Sequence, residues 1–270
     1  MFDCGEGTQR QMVRAHIGFQ RPMKILISHL HGDHVLGLPG LLQSMSLMRR
    51  EKPLHIYGPT GLVDYIRAFS ESLGGPAFPV IIYEINEPGI IFESEDYSIV
   101  AVKARHRDIA WSYGFFESPR PGRFYPERAR ALGVPEGALW GRLQKGETIE
   151  HEGKKISPNH VCDPQRPGRR IIYSGDTAPN NELLDISEKA DLLILEATFL
   201  DELSDRAAED GHTTALQAAQ FAKQAEVDLL VLTHISSRYP DPSVVRAEAE
   251  KVFRNVLVAE DLMELELPLK

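Results

Sequence analysis

The segment SHLHGDH, residues 28–34, constrains what this chain can fold into more than any other feature. It follows directly on KILIS, residues 24–28, an apolar run whose length and composition predict a short buried strand. Four of its side chains are of types that bind metals: His29, His31, Asp33 and His34. Such a density of ligand-type residues at the end of a strand indicates a metal site rather than a chance cluster.

The geometry expected of this segment divides its ligands into two pairs. Residues two apart in an extended chain point the same way, so His29 and His31 face one point. The chain then turns at Gly32 and enters a helix, which aims Asp33 and His34 at a neighbouring point. Imidazole and carboxylate groups are good zinc ligands, and the segment therefore predicts two adjacent metal ions.

Three further predicted strands run into residues of ligand type. The strands are SIVAVKA (98–104), RIIYS (170–174) and DLLVLT (228–233), and the ligand-type residues after them are His106, Asp176 and His234. A fifth run of strand type is DLLILEA, residues 191–197. Sites in open α/β sheets form beyond the strand ends, so we expect these ligands to gather at one edge of a sheet.

The seven candidate ligands divide into two groups of three and one bridging residue: His29, His31 and His106; Asp33, His34 and His234; and Asp176. The carboxylate of the bridging residue offers one oxygen to each ion. Zinc is the expected metal, because the ligands are histidine and aspartate, and manganese is the alternative. The remaining histidines stand in no ligand-like pattern and receive no role: His16, His55, His151 and His160.

Helical patterns at 61–73, 214–225 and 242–253 alternate with the strands, which predicts an α/β or layered αββα arrangement. A chain of 270 residues is long enough for one large domain of this kind. No apolar stretch approaches the roughly 18 residues that a membrane helix needs. The sequence shows no signal-peptide pattern, and its two cysteines cannot form a disulfide framework. These features favour the cytoplasm.

One segment, 117–146, differs from the rest because it is rich in Pro and Gly and has no apolar periodicity. Its basic residues outnumber its acidic ones: Arg120, Arg123, Arg128, Arg130, Arg142 and Lys145. The formal net charge of the chain is −9, so any contact with nucleic acid must be local. A long irregular segment is either a functional excursion or a solvated surface loop, and both interpretations stay open at this point.

The order of these motifs resembles a known family. The blocks that carry the resemblance are FDCGEGTQRQ (2–11), SHLHGDHVLGLPGLL (28–42), IYGPTGL (56–62), PGRF and ALGVPEG (within 121–137), YSGDT (173–177), LEATF (195–199), GHTTA (211–215) and LTHISSRY (232–239). HxHxDH with the later His, SGDT and final His is similar to the metallo-β-lactamase superfamily. GHTTA and the Pro- and Gly-rich segment narrow the resemblance to the ribonuclease Z family of tRNA 3′-end processing endonucleases. It implies one αββα metallo-β-lactamase-like domain, 1–270, with a flexible inserted arm at 117–146.

The resemblance also implies a chemistry. His212, in GHTTA, is expected to act as a general acid, and Glu196 to orient it and stabilise its charge. The metal ions activate a water whose hydroxide attacks the phosphodiester, and Asp33 is placed to accept a proton from that water. The implied substrate is a tRNA precursor, cleaved to a 3′-hydroxyl on the tRNA and a 5′-phosphate on the trailer. The arm is implied to grip the tRNA elbow, often from the partner subunit of a homodimer, and no membrane is involved.

Two alternatives remain open at this point. A small-molecule phosphodiester or thioester hydrolase on the same fold explains the metal-binding residues but leaves the arm unexplained. The second alternative is an inactive, truncated RNA-binding protein. It is suggested by the first ten residues, MFDCGEGTQR, which match an internal block of the family. We therefore expect an N-terminally shortened version of the family's chain. Within this block, Asp3 is expected to serve the loop beneath the metal site.

Overall fold

The computed structural model describes residues 1–269, which divide into two compact units. The first unit comprises Met1–Ser94, Ser98–Phe115 and Arg170–Leu267, and the second consists mainly of Phe116–Arg169 together with Glu95–Tyr97. Every helix in residues 1–269 is too short or too polar to span a bilayer.

The described residues contain twelve strands in three sheets. In chain order the strands are β1 (Lys24–Leu26), β2 (Leu54–Pro59), β3 (Val80–Ile85), β4 (Gly89–Glu93), β5 (Tyr97–Lys103), β6 (Trp111–Glu117), β7 (Ile149–His151), β8 (Lys154–Ile156), β9 (Arg170–Tyr173), β10 (Leu192–Glu196), β11 (Leu229–Thr233) and β12 (Val256–Val258). One sheet has the order β1-β2-β3, the largest has the order β12-β11-β10-β9-β6-β5-β4, and β7 pairs with β8. The strands of the first sheet and β9 to β12 pair in parallel, whereas β4-β5 and β7-β8 are antiparallel.

The same residues form ten α-helices: α1 (Thr8–Arg14), α2 (Gly32–Val35), α3 (Gly37–Leu47), α4 (Leu62–Leu73), α5 (Pro126–Ala131), α6 (Ala138–Gln144), α7 (Asn181–Ser187), α8 (Ser204–Asp210), α9 (Ala215–Gln224) and α10 (Ser243–Glu250). Helix α9 shows why a helix begins where it does. The Thr214 side chain accepts a hydrogen bond from the backbone N of Gln217, whose side chain accepts one from the Thr214 backbone N. This capping box fixes the start of α9 at Ala215, three residues after His212.

The three-stranded sheet packs its apolar side chains against helices of the first unit. Ile25 of β1 and Ile56 of β2 are fully buried together with Leu41 and Leu42 of α3 and Leu62 of α4. Burying a side chain of this size contributes about 1.5–3 kcal/mol of hydrophobic free energy. The segment that leaves β1 therefore starts from a firmly held strand.

The seven-stranded sheet carries helices as well, since α9 contacts β10 and β11 and α10 contacts β12. Two hydrogen bonds join β6 of this sheet to the chain at the end of β1. The Tyr113 hydroxyl donates to the Ile27 carbonyl at 2.6 Å, and the Trp111 backbone N donates to the Ser28 carbonyl at 2.9 Å. The first unit is thus a helix–sheet–sheet–helix sandwich, and the αββα prediction is confirmed.

The second unit has a core of its own. Its buried residues include Ala129 of α5, Leu143 of α6, Ile149 of β7 and Ile156 of β8. The sequence predicted irregular structure over 117–146, but α5 and α6 lie within that segment. Helices of six and seven residues are too short to show a periodic apolar face, which explains why the pattern was not visible.

All five strands predicted from the sequence are present, as β1, β5, β9, β10 and β11, and the three predicted helices correspond to α4, α9 and α10. One expectation was wrong, because the strands that lead to the candidate ligands do not share one sheet. Strand β1 belongs to the three-stranded sheet, whereas β5, β9 and β11 belong to the seven-stranded sheet. An apolar run identifies a strand but does not specify its pairing partners.

Candidate metal centre

The first group of predicted ligands forms a triangle of imidazoles. The ring centroids are 4.5 Å apart for His29 and His31, 5.0 Å for His29 and His106, and 5.2 Å for His31 and His106. His29 and His31 leave the end of β1, and His106 lies in the loop after β5. One candidate ligand atom from each of them, and one from Asp176, all lie within 4.8 Å of one another.

The second group lies beside the first. Asp33 and His34 lie in α2, and His234 follows β11. The Nε2 atom of His234 is 3.1 Å from Oδ2 of Asp33, and Nε2 of His34 is 3.4 Å from the same oxygen. The backbone of His234 has a φ of 53°, a left-handed conformation that is uncommon for residues other than Gly and occurs often at functional sites.

Asp176 lies between the two groups. Its Oδ2 atom is 3.7 Å from Nε2 of His29 and 3.3 Å from Nε2 of His234, while its Oδ1 atom is 3.3 Å from Nε2 of His34. The turn that delivers this carboxylate requires Gly175, which has a φ of +59° and whose added Cβ would lie 2.7 Å from Cβ of Ser28. The structure therefore brings all seven predicted ligands together, with Asp176 in the bridging position.

Four of the candidate ligand histidines use their Nδ1 atom for a neighbouring protein group. The Nδ1 atoms and their partners are His29 with the Ser28 hydroxyl (3.0 Å), His34 with the Asp3 carboxylate (2.7 Å), His106 with the Gly211 carbonyl (3.0 Å) and His234 with the Thr198 hydroxyl (2.9 Å). Partners of this kind fix the tautomer and the ring orientation of metal-binding histidines. The Nε2 atom of each ring is left for the cluster.

Several buried polar atoms that face the cluster lack a hydrogen-bond partner within residues 1–269. Nε2 of His29, His34 and His106 and Oδ1 of Asp176 are buried and have no hydrogen-bond partner within residues 1–269. Buried polar groups are rarely left without a partner, because each one costs free energy. Imidazole nitrogens and a carboxylate oxygen are ligands of divalent metals. The residues present therefore fit a site for divalent metal ions.

Burial and the close packing of charged groups shift the pKa values of three side chains in the cluster. Burial, together with the proximity of His34, lowers the pKa of His29 to about 4, so this imidazole is neutral near pH 7. Burial raises the pKa of Asp176, but the close contact with His34 and the charge interactions with His234 and His29 outweigh it and hold that pKa well below its ordinary value. Burial likewise lowers the pKa of His34, and the carboxylates of Asp176 and Asp3 outweigh it and raise that pKa to about 10.

Asp3 supports this centre from below. Its Oδ1 atom accepts from the Ser28 backbone N at 2.6 Å, and its Oδ2 atom accepts from the Ser28 hydroxyl at 2.8 Å, the Tyr173 hydroxyl at 2.6 Å and Nδ1 of His34 at 2.7 Å. Asp3 therefore bonds the loop that carries the candidate ligands, as expected, and its role beneath a metal site stays a prediction. Sequence reasoning missed Tyr173 as its partner, since a Tyr at the end of a strand carries no local signal of its role.

A second buried pair lies at the edge of the cluster. Nδ1 of His212 is 2.9 Å from Oε1 of Glu196, which is fully buried at the end of β10. Burial lowers the pKa of His212, but the Glu196 carboxylate outweighs it and the net shift is upward. The His212 ring centroid lies 5.2 Å from that of His106 and 5.4 Å from that of His234. The predicted general acid and its partner are therefore adjacent to both groups of ligands.

In the second unit, most of the predicted basic residues are accessible. Arg120 is half-buried, and the other five are exposed: Arg123, Arg128, Arg130, Arg142 and Lys145. The guanidinium groups of Arg123 and Arg128 lie 5.3 and 4.0 Å from the ring centroid of Tyr125. Arg130 and Arg142 instead pair with glutamates within the unit. The unit thus presents a basic and aromatic surface.

Known proteins are similar to this chain in sequence and in fold. A family model described as the beta-lactamase superfamily domain matches residues 161–235, and a model of the anti-Pycsar protein Apyc1 matches residues 1–116. The solved structure of the short form of human tRNase Z is similar to the chain with a TM-score of 0.70 and 29% identity, covering 99% of this chain and 88% of that one. The fold and the site therefore define a protein of the metallo-β-lactamase type.

Curated relatives specify the family further. Ribonuclease Z of Methanosarcina acetivorans is 48% identical over 99% of this chain and 88% of the relative. Ribonuclease Z of Nitrosopumilus maritimus is 44% identical over 99% of this chain and 89% of the relative. The chain belongs to the ribonuclease Z family. The resemblance inferred from the motif blocks is confirmed.

Proposed function

We propose that this chain is a metal-dependent endoribonuclease that removes the 3′ trailer from tRNA precursors and leaves a 3′-hydroxyl on the tRNA. The proposal is supported by relatives named ribonuclease Z and by similarity to a human tRNase Z. The observation that carries it is the convergence of two groups of ligand-type side chains on Asp176, with the pair of His212 and Glu196 beside them.

Seven residues would hold two divalent ions: His29, His31 and His106 for one, Asp33, His34 and His234 for the other, and Asp176 between them. Zinc is the proposed metal because imidazole and carboxylate ligands suit it, and manganese is the alternative. When bound, the ions supply Lewis acidity that lowers the pKa of a water and neutralises charge on the phosphate.

The protein's own groups would manage the protons. Asp33 is the most exposed carboxylate of the cluster, and it would accept a proton from the attacking water. His212 would donate a proton to the departing 3′ oxygen of the tRNA, and Glu196 would hold its ring and stabilise its charged form. The upward shift in the pKa of His212 keeps a larger fraction of it protonated near neutral pH, as a general acid requires.

Substrate selection would depend on the second unit. The whole chain is acidic, with a formal net charge of −9, so contact with the phosphate backbone must come from local basic residues. Arg123 and Arg128 are exposed beside Tyr125, an arrangement suited to phosphates and stacked bases. We assign to this unit the recognition of the tRNA elbow.

The proposed assembly is a homodimer. Val13 of α1 is exposed, as are Leu47 of α3, with 83% of its surface accessible, and the adjacent Met48. Helices α1 and α3 contact each other, and exposed apolar residues on packed helices favour association. Light scattering should give a dimer mass for the chain and a monomer mass for Leu47→Glu.

The proposed location is the cytoplasm. Cys4 and Cys162 are free and buried, and proteins of reducing compartments commonly keep their thiols in this state. Fractionation of cells that express the chain should recover it with cytoplasmic markers.

The function is tested by incubating the protein with a tRNA precursor and mapping both product ends. The expected products are a tRNA with a 3′-hydroxyl and a trailer with a 5′-phosphate, and Asp33→Ala should abolish them. A generic phosphodiester serves as the comparison substrate. Hydrolysis of the small ester without cleavage of the precursor would contradict the proposal and favour a small-molecule hydrolase.

A further inference from the structure

The loop between β5 and β6 carries a carboxylate, Asp108, that contacts a candidate ligand, as Asp3 does elsewhere in the cluster. Oδ2 of Asp108 lies 2.8 Å from Nε2 of His31, while His106 in the same loop belongs to the same group of ligands. We propose that Asp108 is a positioning residue, which holds the His31 ring in the orientation and tautomer that a metal ion needs. The proposal rests on the metal centre assigned under the proposed function.

The choice of ring nitrogen supports this role. In His29 and His106 the Nδ1 atom is held by the protein and the Nε2 atom is buried without a partner in residues 1–269. In His31 the arrangement is reversed, because Nε2 is held by Asp108. A neutral imidazole whose Nε2–H donates to a carboxylate presents the lone pair of Nδ1. His31 would therefore bind through Nδ1, with Asp108 as the group that selects this tautomer.

The backbone of the loop is fixed well enough to place Asp108. The loop is closed by a hydrogen bond from the Ala104 backbone N to the Ala110 carbonyl at 3.0 Å. Within it, the Arg105 backbone N donates to the Thr177 hydroxyl at 2.9 Å, and the Arg105 carbonyl accepts from Ala178 N at 2.9 Å. These bonds tie the loop to the turn that carries Asp176, so one segment presents both the candidate ligand His106 and Asp108, the partner of His31.

Exposure distinguishes Asp108 from Asp3, the carboxylate that supports His34. The side chains of His31 and Asp108 are 46% and 64% exposed, whereas those of His34 and Asp3 are 6% and 10% exposed. Removal of Asp108 leaves no buried group without a partner, so water solvates Nε2 of His31 and the fold is unaffected. The effect of Asp108 should appear in metal affinity, not in the stability of the metal-free protein.

The test is a zinc titration of the metal-free, full-length protein in competition with a chromophoric chelator. Asp108→Ala should raise the dissociation constant of one of the two zinc ions by about tenfold or more, the size typical of lost outer-sphere partners. Asp108→Asn should lose less, because the amide oxygen still accepts from Nε2–H. Asp64→Ala is the matched control, since Asp64 is an exposed carboxylate that pairs with Arg67.

The outcomes separate this inference from the proposed function. Tight binding of two zinc ions by the wild type, weaker binding of one by Asp108→Ala and unchanged thermal unfolding of the metal-free variant would support it. Equal zinc affinity in the wild type and Asp108→Ala would overturn the role of Asp108 alone. A wild-type chain that binds no zinc would overturn the metal centre itself, and this inference with it.

Discussion

Oε1 of Glu196 lies 2.9 Å from Nδ1 of His212. The same carboxylate also accepts hydrogen bonds from three neighbouring groups. Thr177 N donates to the same oxygen at 2.7 Å, while Thr213 N and the Thr198 hydroxyl donate to Oε2 at 3.1 and 2.7 Å. A buried carboxylate that accepts four hydrogen bonds is held in one orientation. Glu196 thus supplies His212 with a fixed negative partner at the edge of the metal cluster.

His212→Ala should lower single-turnover cleavage of a tRNA precursor by about 100-fold or more, the low end of the contribution of a general acid. Zinc content should not change, because His212 is not among the seven proposed ligands. Rapid quenching measures the rate, and mass spectrometry under native conditions measures the metal. His55→Ala, at a histidine on β2 whose side chain contacts Tyr83, is the control. A cleavage rate close to that of the wild type would remove His212 from the mechanism.

Asp3→Ala should destabilise the protein and loosen one metal ion. It leaves Ser28, Tyr173 and His34 without their shared acceptor in a buried site, which costs on the order of 1–3 kcal/mol of unfolding free energy. Urea denaturation of the metal-free protein measures the stability, and chelator competition measures the zinc affinity. Tyr173→Phe removes only one of these hydrogen bonds and should cost less. Wild-type stability and zinc affinity in Asp3→Ala would show that the carboxylate has no supporting role.

Much of this site could be predicted from the sequence because its ligands follow recognisable strands. SHLHGDH after KILIS, and single ligand-type residues after three other strands, were enough to name the set that the structure brings together. The residues that hydrogen-bond the candidate ligands could not be predicted in this way. Thr198, Asp108 and Gly211 act through contacts between segments distant in sequence, and a lone Thr, Asp or Gly has no pattern that marks such a contact.

The second unit was predicted less completely than the first. Its core joins Ala129 and Leu143, inside the predicted arm, to Ile149 and Ile156, beyond its end. Short helices and a hairpin give weak periodic signals, so the sequence indicated the basic character of the segment but not its compactness. Deleting the arm would cut through this core, and substitutions of surface residues are therefore the cleaner experiment.

Arg123→Ala combined with Arg128→Ala should weaken cleavage of a tRNA precursor without affecting hydrolysis of a small phosphodiester. Each arginine that neutralises a phosphate adds about one to the slope of log affinity against log salt, so the double variant should show a flatter salt dependence. Filter binding at several salt concentrations measures the slope. Arg246→Ala, on α10, is the control because that residue pairs with Glu250 in the first unit. Equal loss on both substrates would count against an exosite in the second unit.

Glu117 should make stability depend on pH at the acid end. The hydrogen bond from Arg169, with Nε to Oε2 at 2.8 Å, holds the pKa of Glu117 below its ordinary value of 4.5. A lowered folded-state pKa means that the pair stabilises the protein above that ordinary value and loses its contribution as the pH falls through the folded-state pKa. The difference in unfolding free energy between the wild type and Glu117→Gln should therefore shrink as the pH is lowered from about 7 to about 3.

The control for this experiment is the same comparison in an Arg169→Ala background. With the partner absent, the unfolding free energies of Arg169→Ala alone and of Arg169→Ala combined with Glu117→Gln should differ by an amount that depends little on pH, as a double-mutant cycle requires. A difference that stays constant with pH in the wild-type background would show that the pair does not act through ionisation of Glu117.

Six side chains converge on Asp176 to complete a set of seven that would hold two metal ions, and we expect cleavage to require both ions. The most direct measurement is to add zinc stepwise to the metal-free protein while following cleavage of a tRNA precursor. Activity should be absent in the presence of a chelator, rise with added zinc and saturate at two equivalents per chain. Saturation at one equivalent, or cleavage that persists in chelator, would contradict the account.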